Sequence, residues 1–187
     1  MSGSVSVIDT SVNGVVATVT VGGGPSGVAV KLPGDLVYLT NRDDKNVSVI
    51  DTTNNTVVAT VAVGKNPLGI AVNPAGTPAY VVNKGSNNVS VIDTTTNQVV
   101  STIEVGNDPT HIAISPNGHR VYVTNRNNSS VSVIDTGFNS VIATIHVGAY
   151  PEGVTVDPSG TRVYVANSGP DNVSVIDSVT NAVITTV

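Results

Sequence analysis

His111 is the residue of this chain best placed to do chemistry. Counted in steps of 42 residues, it stands where Gly27, Gly69 and Gly153 stand, and the same counting brings Asp108, Tyr150 and Glu152 near it. An imidazole beside two carboxylates and a phenol is a set that could hold a divalent cation or exchange protons as acid and base. The plainer reading is a polar substitution tolerated at an exposed loop. His119 and His146 fall in a turn and a strand elsewhere in the unit and do not join the set. Arg42, Lys84 and Arg126 share one position in three successive units, and Ser168 takes it in the fourth. Together these cations would form a basic arc able to contact an anion or an acidic polysaccharide; singly they would be solvated loop residues. Asp9, Asp51, Asp93, Asp135 and Asp177 recur at the same interval. Each opens a turn, where a carboxylate accepts backbone N–H groups two residues on, so they are read as turn caps and not as a metal ladder.

Composition narrows the rest. There is no cysteine, which excludes disulfides, thiolate catalysis and cysteine-ligated zinc. A formal charge of −5 argues against nucleic acid as a general partner. Hydrophobic residues make up 40% and charged residues 11%, too apolar for a disordered chain. The apolar runs are short and broken by Gly, Asn and Asp, so no membrane span is expected. The opening stretch MSGSVSVIDT has no basic segment followed by an apolar run, and no secretory signal is read in it. Sequons at Asn46, Asn54, Asn88, Asn127, Asn128 and Asn172 fit the glycosylation pattern, three of them as by-products of the repeat. No phosphate loop, nucleophile elbow or dinucleotide fingerprint occurs. No cofactor is implied beyond a divalent cation at the His111 set.

These residues must be positioned by a repeating scaffold. VSVID begins at Val5, Val47, Val89, Val131 and Val173, each 42 residues after the last. Gly22, Pro25, Tyr38 and Asn41 have counterparts at the same step, without insertion or deletion. A gapless period means that each unit meets its neighbours in one geometry. Within a unit the pattern predicts four strands, here a to d: GIAV from Gly69, AYVVN from Ala79, VSVID, and TVVATVAV from Thr56. Valine dominates, no helical period appears, and both parities are apolar or small, so strands covered on both faces are expected. NPAGT and SPNGH predict tight a–b turns with Gly in the left-handed region, and DTTNNT predicts an Asp-capped c–d turn.

Four antiparallel strands per unit of this length indicate a propeller blade. VYVTN at Val121 and the five VSVID copies resemble the YVTN β-propeller repeat, with VYLTN at Val37, AYVVN at Ala79 and VYVAN at Val163 as mild departures. That family occurs in archaeal surface-layer proteins and many exported bacterial proteins, usually as closed rings of seven blades. The fold expected is therefore an all-β propeller: a half-blade over 1–22 and blades over 23–64, 65–106, 107–148 and 149–187. The resemblance implies a non-catalytic scaffold at the cell surface or outside the cell, serving assembly, adhesion or protein–protein contact. Two alternatives stand beside it. One is a propeller enzyme, such as a streptogramin lyase or lactonase-like protein, working through His111 and Glu152 at the channel mouth, although none of those motifs is present. The other is a designed or truncated propeller fragment, which the gapless period suits and the irregular loops oppose.

Counting strands gives four copies each of a and b and five each of c and d, so one c–d hairpin is in excess. An uncovered blade face of about 400 Å² matches the largest patch on a typical monomer. Covering it is worth on the order of 10 kcal/mol as an upper estimate. The expected partner is another copy of the chain, joined through open blade faces, with a protein or polysaccharide partner as a further possibility. The b–c and d–a loops vary in sequence and share one face, where binding is expected; the candidates there are Arg42, Lys84, Asp108, His111, Arg126, Tyr150 and Glu152.

Overall fold

The computed structural model describes residues 3–187, so the first two residues of the expected half-blade lie outside the described residues. The chain begins as a two-stranded hairpin of β1 (Gly3–Asp9) and β2 (Gly14–Val21). Four antiparallel sheets follow, each of four strands in chain order. The first blade is β3 (Pro25–Lys31), β4 (Leu36–Asn41), β5 (Asn46–Asp51) and β6 (Thr56–Ala62). The second is β7 (Pro67–Val72), β8 (Ala79–Asn83), β9 (Asn88–Asp93) and β10 (Gln98–Glu104). The third is β11 (Pro109–Ile114), β12 (Arg120–Asn125), β13 (Ser130–Asp135) and β14 (Ser140–His146). The fourth is β15 (Pro151–Val156), β16 (Arg162–Asn167), β17 (Asn172–Asp177) and β18 (Ala182–Thr186). The fold is a β-propeller of four complete blades and an N-terminal half-blade, as the period predicts.

The turns form as their residues dictate. Gly34, Gly76, Gly118 and Gly160 hold positive φ in the a–b turns. In the c–d turns the backbone N–H groups of Ser11, Thr53, Thr95, Gly137 and Val179 donate to Oδ1 of Asp9, Asp51, Asp93, Asp135 and Asp177 at 2.7–3.0 Å. Hydrogen bonds hold four of these carboxyls below their ordinary value: the Ser11 and Thr53 hydroxyls, before the backbone N–H groups, for Asp9 and Asp51, and the N–H groups of Thr95 and Thr180 for Asp93 and Asp177. Each of these turns ends on an asparagine in the left-handed region: Asn13, Asn55, Asn97, Asn139 and Asn181.

The core is a series of equivalent layers between blades. Tyr38, Val47, Val49 and Val61 of the first blade pack on Ile70, Ala79, Val81 and Ile92 of the second. Tyr80 and Tyr122 lead the next two layers. Val19 and Val21 of the half-blade cover Leu39 and Ile50 of the first blade. The innermost strands β3, β7, β11 and β15 run side by side along the arc. In the first three blades strands b and c are covered on both faces, but strand d is not. Val16, Val58, Val100, Ile142 and Ile184 are exposed, and each falls where the c–d register slips by one residue. The extra residue of such a bulge has no partner opposite it and turns outward.

Candidate functional site at the loop face

The b–c and d–a loops lie together on one side of the arc because they are zipped to each other. Lys84 N–H donates to Asn66 O at 3.1 Å, Arg126 N–H to Asp108 O at 3.0 Å and Ser168 N–H to Tyr150 O at 3.1 Å. The carbonyls come from residues in the left-handed conformation, at φ 49° for Asn66, 56° for Asp108 and 52° for Tyr150, where the first unit has Gly24. Asparagine and aspartate adopt that region readily; a tyrosine there is strained. Tyr150 is also 49% exposed.

Behind the loops, each blade carries one buried polar brace. The Asn125 amide donates to Ser130 Oγ at 3.1 Å and Ser132 Oγ at 2.9 Å. Asn41, Asn83 and Asn167 make the same pair of bonds to Asn46 and Ser48, Asn88 and Ser90, and Asn172 and Ser174. Gly22, Gly64, Gly106 and Gly148 press against these asparagines; a Cβ on Gly106 would lie 2.6 Å from Asn125 Cγ. The repeated glycine is thus explained by a close approach to the side chain of a repeated asparagine.

The candidate residues divide into three groups. Arg126, Tyr150, Glu152 and His111 come together between the third and fourth blades. Arg126 Nε lies 2.7 Å from Glu152 Oε1 and its guanidinium is 4.8 Å from the Tyr150 ring centroid. His111 Nδ1 is 3.9 Å from Glu152 Oε2. Asp108 faces the other way and pairs with Lys84 at 3.3 Å. Arg42 stands apart, 3.1 Å from Asp43. Each cation of the expected basic arc therefore has a carboxylate beside it, two of them from the following blade. Glu152 is thus engaged by Arg126. No group of three or more metal-capable side chains comes together among the described residues. Sequence reasoning missed a groove of ≈ 370 Å³ bordered by Glu104, Asn128 and His146; counting from repeat to repeat gives no sign of it, because the groove lies between two blades.

The ends of the arc differ from its interior. Tyr164 is 39% exposed, whereas Tyr38, Tyr80 and Tyr122 are at most 1% exposed. It borders a groove of ≈ 290 Å³ with Val154, Ala166 and Val173. At the other end Val28 and Val30 are 59% and 53% exposed, although Ile70, the counterpart of Val28, is 8% exposed.

Comparison with known proteins agrees with this architecture. The model of the YNCE-like β-propeller family matches residues 75–162. Among solved structures, one titled Kuenenia stuttgartiensis hydrazine synthase superposes with a TM-score of 0.83 at 30% identity, over 87% of this chain and 48% of that one. A protein of unknown function from Desulfotomaculum acetoxidans DSM 771 superposes with a TM-score of 0.80 at 18% identity, over 92% of this chain and 59% of that one. No curated protein matches. The chain spans about half the length of the solved structures it resembles. By its strands, its layers and these likenesses, the chain is a β-propeller repeat protein.

Proposed function

We propose that this chain is a non-catalytic propeller scaffold of the YVTN type, acting at the cell surface or outside the cell by assembling with further copies of itself. The observation that carries the reading is the pair of bare ends: Tyr164 at one and Val28 with Val30 at the other. Each is one half of a blade–blade layer whose counterparts inside the arc are buried or partly buried: Tyr38, Tyr80 and Tyr122 for Tyr164, and Ile70, Ile112 and Val154 for Val28. Exposed apolar surface of this kind favours association. The loop face supports a second, weaker contact with a protein or polysaccharide. There Arg126 and Tyr150 present a stacked cation and ring on a strained loop, and strain of this kind gathers at functional positions. The abundance of Asn, Thr, Ser and Val with few lysines suits an extracellular surface.

Sedimentation velocity tests the assembly. Wild type is expected to sediment faster than one chain, and Tyr164→Asp to return it toward one chain with its β-sheet circular dichroism unchanged. Wild type sedimenting as a single chain over a wide concentration range would remove the reading.

A further inference from the structure

We infer that the cavity between the third and fourth blades, on the face of the a–b and c–d turns, binds a small tetrahedral oxyanion, phosphate or sulfate, through the guanidinium of Arg120. The site lies between two complete blades and does not depend on the assembly proposed above.

Two arginines open strand b in successive blades, and they fare differently. Arg162 stands opposite Asp177 in the b–c register. Its Nη1 donates to Asp177 Oδ2 at 2.8 Å and to Thr161 O at 3.0 Å. Arg120 stands opposite Asp135 in the same register. Its Nη1 is buried, yet no described residue accepts a hydrogen bond from it. The a–b turn beside it is less acidic too. Asp157 accepts from the N–H of Arg162 at 2.9 Å, and its counterpart Ser115 accepts from that of Arg120 at 2.9 Å. A guanidinium keeps its charge at any ordinary pH, so a buried N–H of this kind either meets an acceptor or bears the cost of its lost hydration.

The tyrosine layer opens at the same place. Tyr38 and Tyr80 donate to Asn97 and Asn139, in the next blade's c–d turn. Asn181 is the counterpart for Tyr122, and its Oδ1 is buried without a partner. The Tyr122 hydroxyl therefore does not reach it and is left as a donor. The gap is a cavity of ≈ 260 Å³, bordered by His119, Arg120 and Tyr122 of the third blade and by Thr161 and Ser178 of the fourth. Burial pushes the Tyr122 phenol up and the Arg120 charge opposes that push, as a cation near the same space does.

The lining selects the ligand. Its one permanent charge is the Arg120 cation, and no described carboxylate borders the space, although the chain as a whole carries −5. A metal ion would be repelled there. The volume falls below the range of about 300–1,000 Å³ usual for drug-sized ligands, which suits a small ion. Guanidinium N–H groups match the oxygens of phosphate and sulfate in pairs. The phenol of Tyr122 and the imidazole of His119 add donors, so an anion with four oxygens is served better than a carboxylate with two. A sulfate carried on a sugar chain presents the same oxygens as the free ion.

Calorimetric titration of the full chain with sodium phosphate, in chloride buffer at fixed ionic strength, tests the site. One phosphate per chain is expected. Binding should weaken about ten- to a hundredfold in Arg120→Gln, the range for hydrogen bonds to a charged group. It should weaken several-fold in Tyr122→Phe, which keeps the layer filled, and stay unchanged in Arg162→Gln. No binding by wild type, or equal binding by wild type and Arg120→Gln, would overturn the site and leave water to fill the cavity. Melting gives a second readout. In chloride Arg120→Met should melt at or above wild type, because it removes an unpartnered buried charge. In phosphate wild type should gain several degrees more than the variant does. A variant that melts lower by the same margin in both buffers would assign Arg120 a structural role only and overturn the inference. Titration with a sulfated disaccharide separates the two sources of the anion: binding tighter than that of free sulfate assigns the site to a sugar chain, and weaker binding assigns it to the free ion.

Discussion

The hydroxyl of Tyr38 donates to Oδ1 of Asn97, at 2.8 Å, across the boundary between the first and second blades. Tyr80 makes the same reach to Asn139 at 3.3 Å. One side chain thus fills the layer between two blades and ties the turn of the next one. Asn97 and Asn139 occupy the left-handed residue of their c–d turns, so turn geometry and blade packing are set by the same contact.

Removing that side chain should be severe inside the arc and mild at its end. Tyr80→Ala is expected to lower the unfolding free energy by about 3–5 kcal/mol, as truncation of a buried aromatic does. Tyr164→Ala should lower it by less than half as much. Urea denaturation of both variants checks the ranking, and equal losses would contradict it.

Alkaline pH acts on the same layers. Burial pushes the phenols of Tyr38 and Tyr80 up to about 12, and it also raises Tyr122. The folded value exceeds the ordinary 10.0, so this stabilisation is complete below pH 10 and is lost as pH rises toward 12. Melting temperature should fall steeply across that window, with phenolate absorbance rising together with unfolding. Titration of every tyrosine near pH 10 in a protein that remains folded would contradict this.

Gly106→Ala tests the glycine–asparagine contact. The added methyl meets the Asn125 side chain, which accepts from Gly106 N–H at 3.1 Å and braces Ser130 and Ser132. A loss of about 1–3 kcal/mol in chemical denaturation is expected from overpacking at this point.

Tyr150→Asn should stabilise the chain by about 1 kcal/mol, because asparagine tolerates the left-handed conformation that costs tyrosine strain. Asn66 already occupies the equivalent position at φ 49°. Loss of stability in thermal melts would show that stacking on Arg126 outweighs the strain.

Much of this architecture was legible in the amino-acid sequence because it is written several times over. The blade period, the left-handed glycines of the a–b turns and the aspartate caps all follow from residues that recur at one step. What recurrence hides is whatever happens once, or between units. Arg126 reaches Glu152 and Lys84 reaches Asp108 across blade boundaries, so an arc that reads as basic is locally balanced. Val58 and Ile142 read as core residues but lie at bulges, where an unpaired position turns outward. Tyr150 in the left-handed region could have been suspected, since its counterparts are Gly24, Asn66 and Asp108. Three residues suited to one backbone conformation imply that conformation for the fourth.

The central proposal is that self-association covers the exposed Tyr164, Val28 and Val30. Light-scattering mass of the wild-type chain, measured behind size exclusion over a hundredfold concentration range, tests it most directly. The account predicts masses at integer multiples of 18.9 kDa above one, rising with concentration. A constant mass of one chain throughout, with the β-sheet spectrum intact, would contradict it.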